Sequence, residues 1–116
     1  MDIIGSQVGR TSVLALSGAL NTLSAPALSV RAIALCDTGV HTILVDLGKV
    51  PHLTSAGLRA LMVINKRAEQ AGVGMALCGL NEMVHDLLDV SGMLDIFRIY
   101  PDRESALVAI DRPGSP

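Results

Sequence analysis

From residue 40 to residue 110 the chain alternates short β-branched apolar runs with longer stretches of helical period, and this rhythm constrains the fold more than any other feature. Residues 40–47 (VHTILVDL) form an apolar run that ends on polar residues, the pattern of a buried strand. A loop with Gly48 and Pro51 follows, and residues 55–72 (SAGLRALMVINKRAEQAG) then repeat apolar side chains at helical spacing up to Gly72. Residues 73–80 (VGMALCGL) predict another buried strand. Residues 81–92 (NEMVHDLLDVSG) predict a helix capped by Asn81 and stopped by Gly92. The segment 94–100 (LDIFRIY) predicts a short strand, and 102–110 a last helix opened by Asp102. Strands joined through helices pair in parallel, with right-handed crossovers.

Upstream the pattern changes. Residues 2–8 (DIIGSQV) and 13–20 (VLALSGAL) predict two strands joined by the turn GRTS, an antiparallel hairpin. Ser24 as N-cap and Pro26 in the first turn then open a helix to Cys36. The fold class expected is α/β: a single domain over residues 1–110, a mixed β-sheet with an N-terminal antiparallel hairpin and βαβ crossovers, and about four helices. The strands at 13–20, 40–47 and 73–79 are expected to be central, and 111–116 (DRPGSP) to be a disordered tail.

Composition narrows the function. Half of the 116 residues are apolar, yet Phe97 and Tyr100 are the only aromatics, so the core must be aliphatic. A net charge of −2 and the shortage of aromatics argue against a nucleic-acid partner. Cys36 and Cys78 sit in apolar contexts and read as buried free thiols of a cytoplasmic protein. The N-terminus has Asp2 and no basic segment before an apolar run, so no secretory signal is expected. Thr11 to Val30 carries no charge, but its serines, Asn21 and Pro26 mark a strand, a turn and a helix start, not membrane insertion.

In open α/β sheets, sites lie at the carboxyl ends of the parallel strands. Here that place is DLGKVPHLTS, residues 46–55, which leads into the N-terminus of the longest predicted helix. Enzymatic chemistry finds little support there. His41, His52 and His85 lack metal-ligand spacing, no Gly-x-Ser-x-Gly elbow surrounds Ser55, and there is no glycine-rich phosphate loop. No catalytic residue, metal or cofactor is assigned. Thr54 and Ser55 remain, two hydroxyls that can cap the helix or be modified. On this helix Gly57, Leu61, Ile64 and Ala68 share one face, flanked by Leu58 and Ala60. Arg59, Lys66, Arg67 and Gln70 lie opposite, with Val63 among them and Met62 on the border, a candidate docking surface.

The chain resembles the STAS domain of bacterial anti-sigma factor antagonists over residues 8–110. LSGALNTLSAPAL is similar to that family's strand-to-helix passage, commonly G-E-L-D and a helix. ILVDLGKVPHLTSAGLRAL is similar to its signature, a strand, D-L, a loop, then D-S-S/A/T-G-L. AEQAGVGMALCGLNEMVHDLLDVSGMLDIF is similar to the next helix, strand and helix, with Ser91-Gly92-Met93 at the recurrent S/T-G-L.

The resemblance implies that Ser55 is the phosphoacceptor of a partner anti-sigma factor that is also an ATP-binding serine/threonine kinase. It implies that the unphosphorylated form binds this kinase and frees a sigma factor, and that Asn21, Thr54, Ser55, Arg59, Met62, Val63 and Lys66 meet the partner. Thr54 is the alternative acceptor. Three positions depart from the family pattern: Thr54 and Asn21 stand where Asp is common, and Ala19 where Glu is. Two other readings stay open, a non-catalytic adaptor in a lipid-transport ATPase complex and a sensory domain that binds a small molecule. A weak homodimer is compatible with all three.

Overall fold

The computed structural model describes residues 1–110. The tail expected at 111–116 lies outside the described residues. Nine elements follow in order: β1 (Asp2–Val8), β2 (Thr11–Ser17), α1 (Ala25–Leu35), β3 (Thr42–Lys49), α2 (Ser55–Gln70), β4 (Gly74–Cys78), α3 (Glu82–Val90), β5 (Arg98–Tyr100) and α4 (Arg103–Ile110). The strands form one sheet in the order β1-β2-β3-β4-β5. β1 is antiparallel to β2 and every other pair is parallel, as the hairpin and the crossovers require.

The unbroken apolar runs in β2, β3 and β4 are explained by burial on both faces of the sheet. Leu14, Leu16, Ile43, Val45, Leu47, Met75 and Leu77 join the larger core with Leu28 and Ala32 of α1, Leu61, Ile64 and Ala68 of α2, and Val84 and Leu88 of α3. Val13, Leu44, Ala76 and Cys78 turn the other way, against Ala106 of α4. Three helices therefore cover one face, and only α4 covers the other. Both cysteines are free and buried. Burial raises both thiols, Cys78 to about 12, with the nearby Asp46 carboxylate adding to the rise. No helix among the described residues is long and apolar enough to cross a membrane.

Several boundaries differ from the sequence expectation. β2 runs over Thr11–Ser17, not 13–20: the expected GRTS turn tightens to Gly9 and Arg10, with Gly9 at φ +59, and Gly18 at φ +110 turns the chain at the other end. Leu20 then makes only an isolated parallel bridge to Leu53. Ser24 does not cap α1 with its side chain. Its hydroxyl instead donates to the Ala19 carbonyl at 2.9 Å, and Asn21 Oδ1 accepts from the Leu23 and Ser24 amides at 3.0 and 3.2 Å. The turn at Asn21 thus leads into the helix, through a local side-chain to backbone competition that spacing alone does not resolve. β5 is confined to 98–100. Past Gly92 the Met93 amide reaches back to the Leu88 carbonyl and the Ile96 amide to Met93, so 94–96 form a turn instead of extended chain.

Candidate functional site

The site is built where two loops leave the sheet side by side. The Gly18 amide donates to the Lys49 carbonyl at 3.0 Å, Leu20 to His52 at 3.2 Å, and Thr54 back to Leu20 at 3.0 Å. These bonds continue the parallel pairing of β2 and β3 past their ends and carry residues 18–23 along the start of α2. The approach is close because position 57 is glycine. A Cβ there would lie 2.6 Å from the Leu20 carbonyl oxygen and 2.7 Å from Leu53 Cδ1. Leu20 and Leu53 are buried beneath the loops and anchor them. A third tie comes from Asn81, which caps α3 by accepting from the Val84 amide at 2.8 Å while its Nδ2 donates to the Pro51 carbonyl at 3.0 Å.

On this frame Thr54 and Ser55 are both exposed. Ser55 is the first residue of α2 and Thr54 its extended N-cap. The expected capping bond is absent: the Thr54 side chain makes no hydrogen bond to the helix. The first turn of α2 also holds no acidic residue. A sixteen-residue helix therefore presents its positive pole and its open amides with no side-chain oxygen bound to them. The Ser55 hydroxyl has no hydrogen-bond partner among the described residues and stands free to meet an incoming group.

Along α2, Gly57, Leu58, Ala60, Leu61, Ile64 and Ala68 are buried, while Arg59, Lys66, Arg67 and Gln70 are exposed. Val63 keeps 48% of its surface exposed and Met62 lies between the two classes. The exposed face is thus cationic with an apolar centre. Asn21 is half-buried, and its side-chain oxygen is spent on its own turn. Beside it Leu23 is 91% exposed, the most exposed large apolar side chain described. Sequence inspection passed over Leu23 because it looks like one more apolar residue approaching a helix; only the turn at 21–24 shows that it points away from the core. Among the described residues no group of three or more His, Cys, Asp or Glu side chains converges as a metal site would require.

The family model for the STAS domain matches residues 4–106. BtrV of Bordetella bronchiseptica, named as an anti-sigma factor antagonist, is 32% identical over 109 residues, covering 94% of each chain. Among solved structures, the crystal structure of an anti-sigma factor antagonist of Thermotoga maritima superposes with a TM-score of 0.88 at 22% identity, covering 95% of both chains. The Bacillus protein SpoIIAA gives 0.81 at 17% identity in its unphosphorylated form, covering 94% of this chain and 96% of that one. SpoIIAA is also known in a phosphorylated form, at TM-score 0.73. The fold alone does not decide function, since mouse Slc26a9, an anion transporter, matches with 0.76 at 16% identity over 89% of this chain and 18% of its own. With the family model matching residues 4–106 and the Bordetella relative aligned over 94% of both chains, the chain belongs to the STAS domain family, among its anti-sigma factor antagonists.

Proposed function

We propose that this protein is a phosphorylation-switched binding module, not an enzyme. Unphosphorylated, it binds an anti-sigma factor that is also an ATP-dependent serine/threonine kinase of the bacterial cytoplasm, and so frees a sigma factor. The observation that carries this reading is the exposed, unpartnered Ser55 hydroxyl at the first residue of α2. The kinase transfers the γ-phosphoryl group of ATP to Ser55 Oγ, which loses its proton, and ADP leaves. The product adds about −1.5 to −2 charges and three acceptor oxygens. At the helix N-terminus that charge meets the positive pole, so the domain tolerates it without refolding. At an interface the same charge must be desolvated against the partner, and binding ends.

The contact surface in this reading comprises Asn21, Thr54, Ser55, Arg59, Met62, Val63 and Lys66, with Leu23 added by its exposure. Its polar residues are basic or neutral, which favours an acidic partner surface. The experiment is incubation with a candidate anti-sigma kinase and ATP, read by intact-mass and fragment mass spectrometry. A single phosphate on Ser55, absent in Ser55→Ala, is the expected result. Phosphate on Thr54 alone moves the acceptor by one residue and keeps the switch. A chain that stays unmodified and binds its partner equally as wild type and as Ser55→Asp overturns the reading in favour of a constitutive adaptor.

A further inference from the structure

The sheet face that carries α4 is left open over β1, the Ala15–Ser17 end of β2 and the end of β3, whereas Val13 nearer the start of β2 is fully buried. Paired residues share a face, which puts Ile4 beside Ala15 and Ala15 beside Asp46, with Asp2, Ser17 and Lys49 forming the next row. With Ser6 and Arg103 they line an open cavity of about 470 Å³, in which Ile4 and Ala15 are apolar and Asp2, Asp46, Lys49 and Arg103 carry charge. Its volume falls within the range of ordinary small-ligand sites, about 300–1,000 Å³.

Lys49 reaches this cavity because of a bulge. Between Ala15–Asp46 and Ser17–Lys49 the ladder advances two residues on β2 but three on β3. A regular ladder would pair Ser17 with Gly48 and turn Lys49 to the opposite face. The extra residue is held by the Gly48 amide, which donates to Asp46 Oδ1 at 2.9 Å. The other Asp46 oxygen takes both Nε and a terminal nitrogen of Arg103, each at 2.9 Å. Asp46 is thus neutralised in place. The Lys49 ammonium and the Ser6 and Ser17 hydroxyls have no side-chain partner among the described residues. Asp2 lies across Ser17 from Lys49, two strands away, or about 10 Å by the usual strand spacing.

A free cation and two free hydroxyls beside the apolar Ile4 and Ala15 call for an anion with an apolar body. We propose that this cavity binds a small organic anion. Its carboxylate or phosphate group meets Lys49 and the Ser17 hydroxyl beside Arg103, and its carbon chain lies on Ile4 and Ala15. The site is separate from Ser55, so failure of a kinase to modify Ser55 leaves it standing.

The test is amide NMR of the labelled protein titrated with sodium butyrate and, separately, with n-butyl phosphate, using n-butanol as the uncharged control. Saturable shifts at Ile4, Ser17, Gly48 and Lys49 with at least one anion, and none with butanol, are expected. A response to butyrate only assigns a carboxylate ligand, and a response to butyl phosphate only assigns a phosphorylated one. Lys49→Met keeps the aliphatic stem of an exposed side chain and should weaken binding at least about tenfold, the scale of one charge-assisted hydrogen bond. No saturable shift with either anion, an equal response to butanol, unchanged affinity in Lys49→Met, or shifts confined to the start of α2 at residues 55–58 would each overturn the proposal.

Discussion

Gly57→Ala puts the architecture of the site to a physical test. The added methyl carbon would sit 2.6 Å from the Leu20 carbonyl oxygen and 2.8 Å from Leu20 Cγ. Leu20 cannot yield cheaply, since it is fully buried and its amide and carbonyl are bonded to His52 and Thr54. In a free helix the change would be favourable by about 1 kcal/mol. Overpacking against backbone costs about 1–3 kcal/mol. Displacing the Leu20 carbonyl also weakens its bond from the Thr54 amide, for about 1 kcal/mol more. The sum is a destabilisation of about 2 kcal/mol, which lowers Tm by roughly 10 °C in a domain of this size. Thermal unfolding followed by circular dichroism measures it, and amide exchange should quicken at Thr54. An unchanged or raised Tm would mean that helix propensity wins, and that the two loops are not clamped together at this glycine.

Three further outcomes are expected. Val63→Asp should leave Tm within about 3 °C, because surface changes stay near ±0.5 kcal/mol. It should also weaken partner binding by about 2 kcal/mol if the residue is a hot spot, which isothermal titration calorimetry would show. Asn81→Ala removes the α3 cap, so it should cost about 1 kcal/mol in urea unfolding; the lost tie to the Pro51 carbonyl should appear as faster amide exchange in the 50–54 loop. Cys36 and Cys78 should resist a thiol reagent at pH 8 in the folded protein, since burial keeps both protonated, and both should react on unfolding; fast labelling of native Cys78 would contradict its burial in the α4 core.

Much of this molecule can be read from its residues, for physical reasons that differ from place to place. The α2 face is legible because sixteen residues of helical period leave little freedom in what must be buried, and Gly57, Leu61, Ile64 and Ala68 are buried as expected. The crossovers make the strands after the hairpin parallel, and β2, β3 and β4 are central as expected. Ser24 misled because a serine before a proline looks like a cap, while its hydroxyl goes to the Ala19 carbonyl and Asn21 holds the Leu23 and Ser24 amides in the preceding turn. The strand expected at 94–100 shrank because turn bonds past Gly92 outweigh its apolar character. The cavity behind the sheet was not legible at all. The side on which Lys49 emerges depends on a one-residue step in the ladder, and no periodicity records a single bulge.

The most direct test of the switch is the affinity of the anti-sigma partner for this domain before and after stoichiometric phosphorylation of Ser55, measured by calorimetry on the same preparation. The account predicts an unchanged fold by circular dichroism and an affinity reduced at least tenfold, about 1.4 kcal/mol. Equal affinity of the two forms, with phosphate confirmed on Ser55, would contradict it.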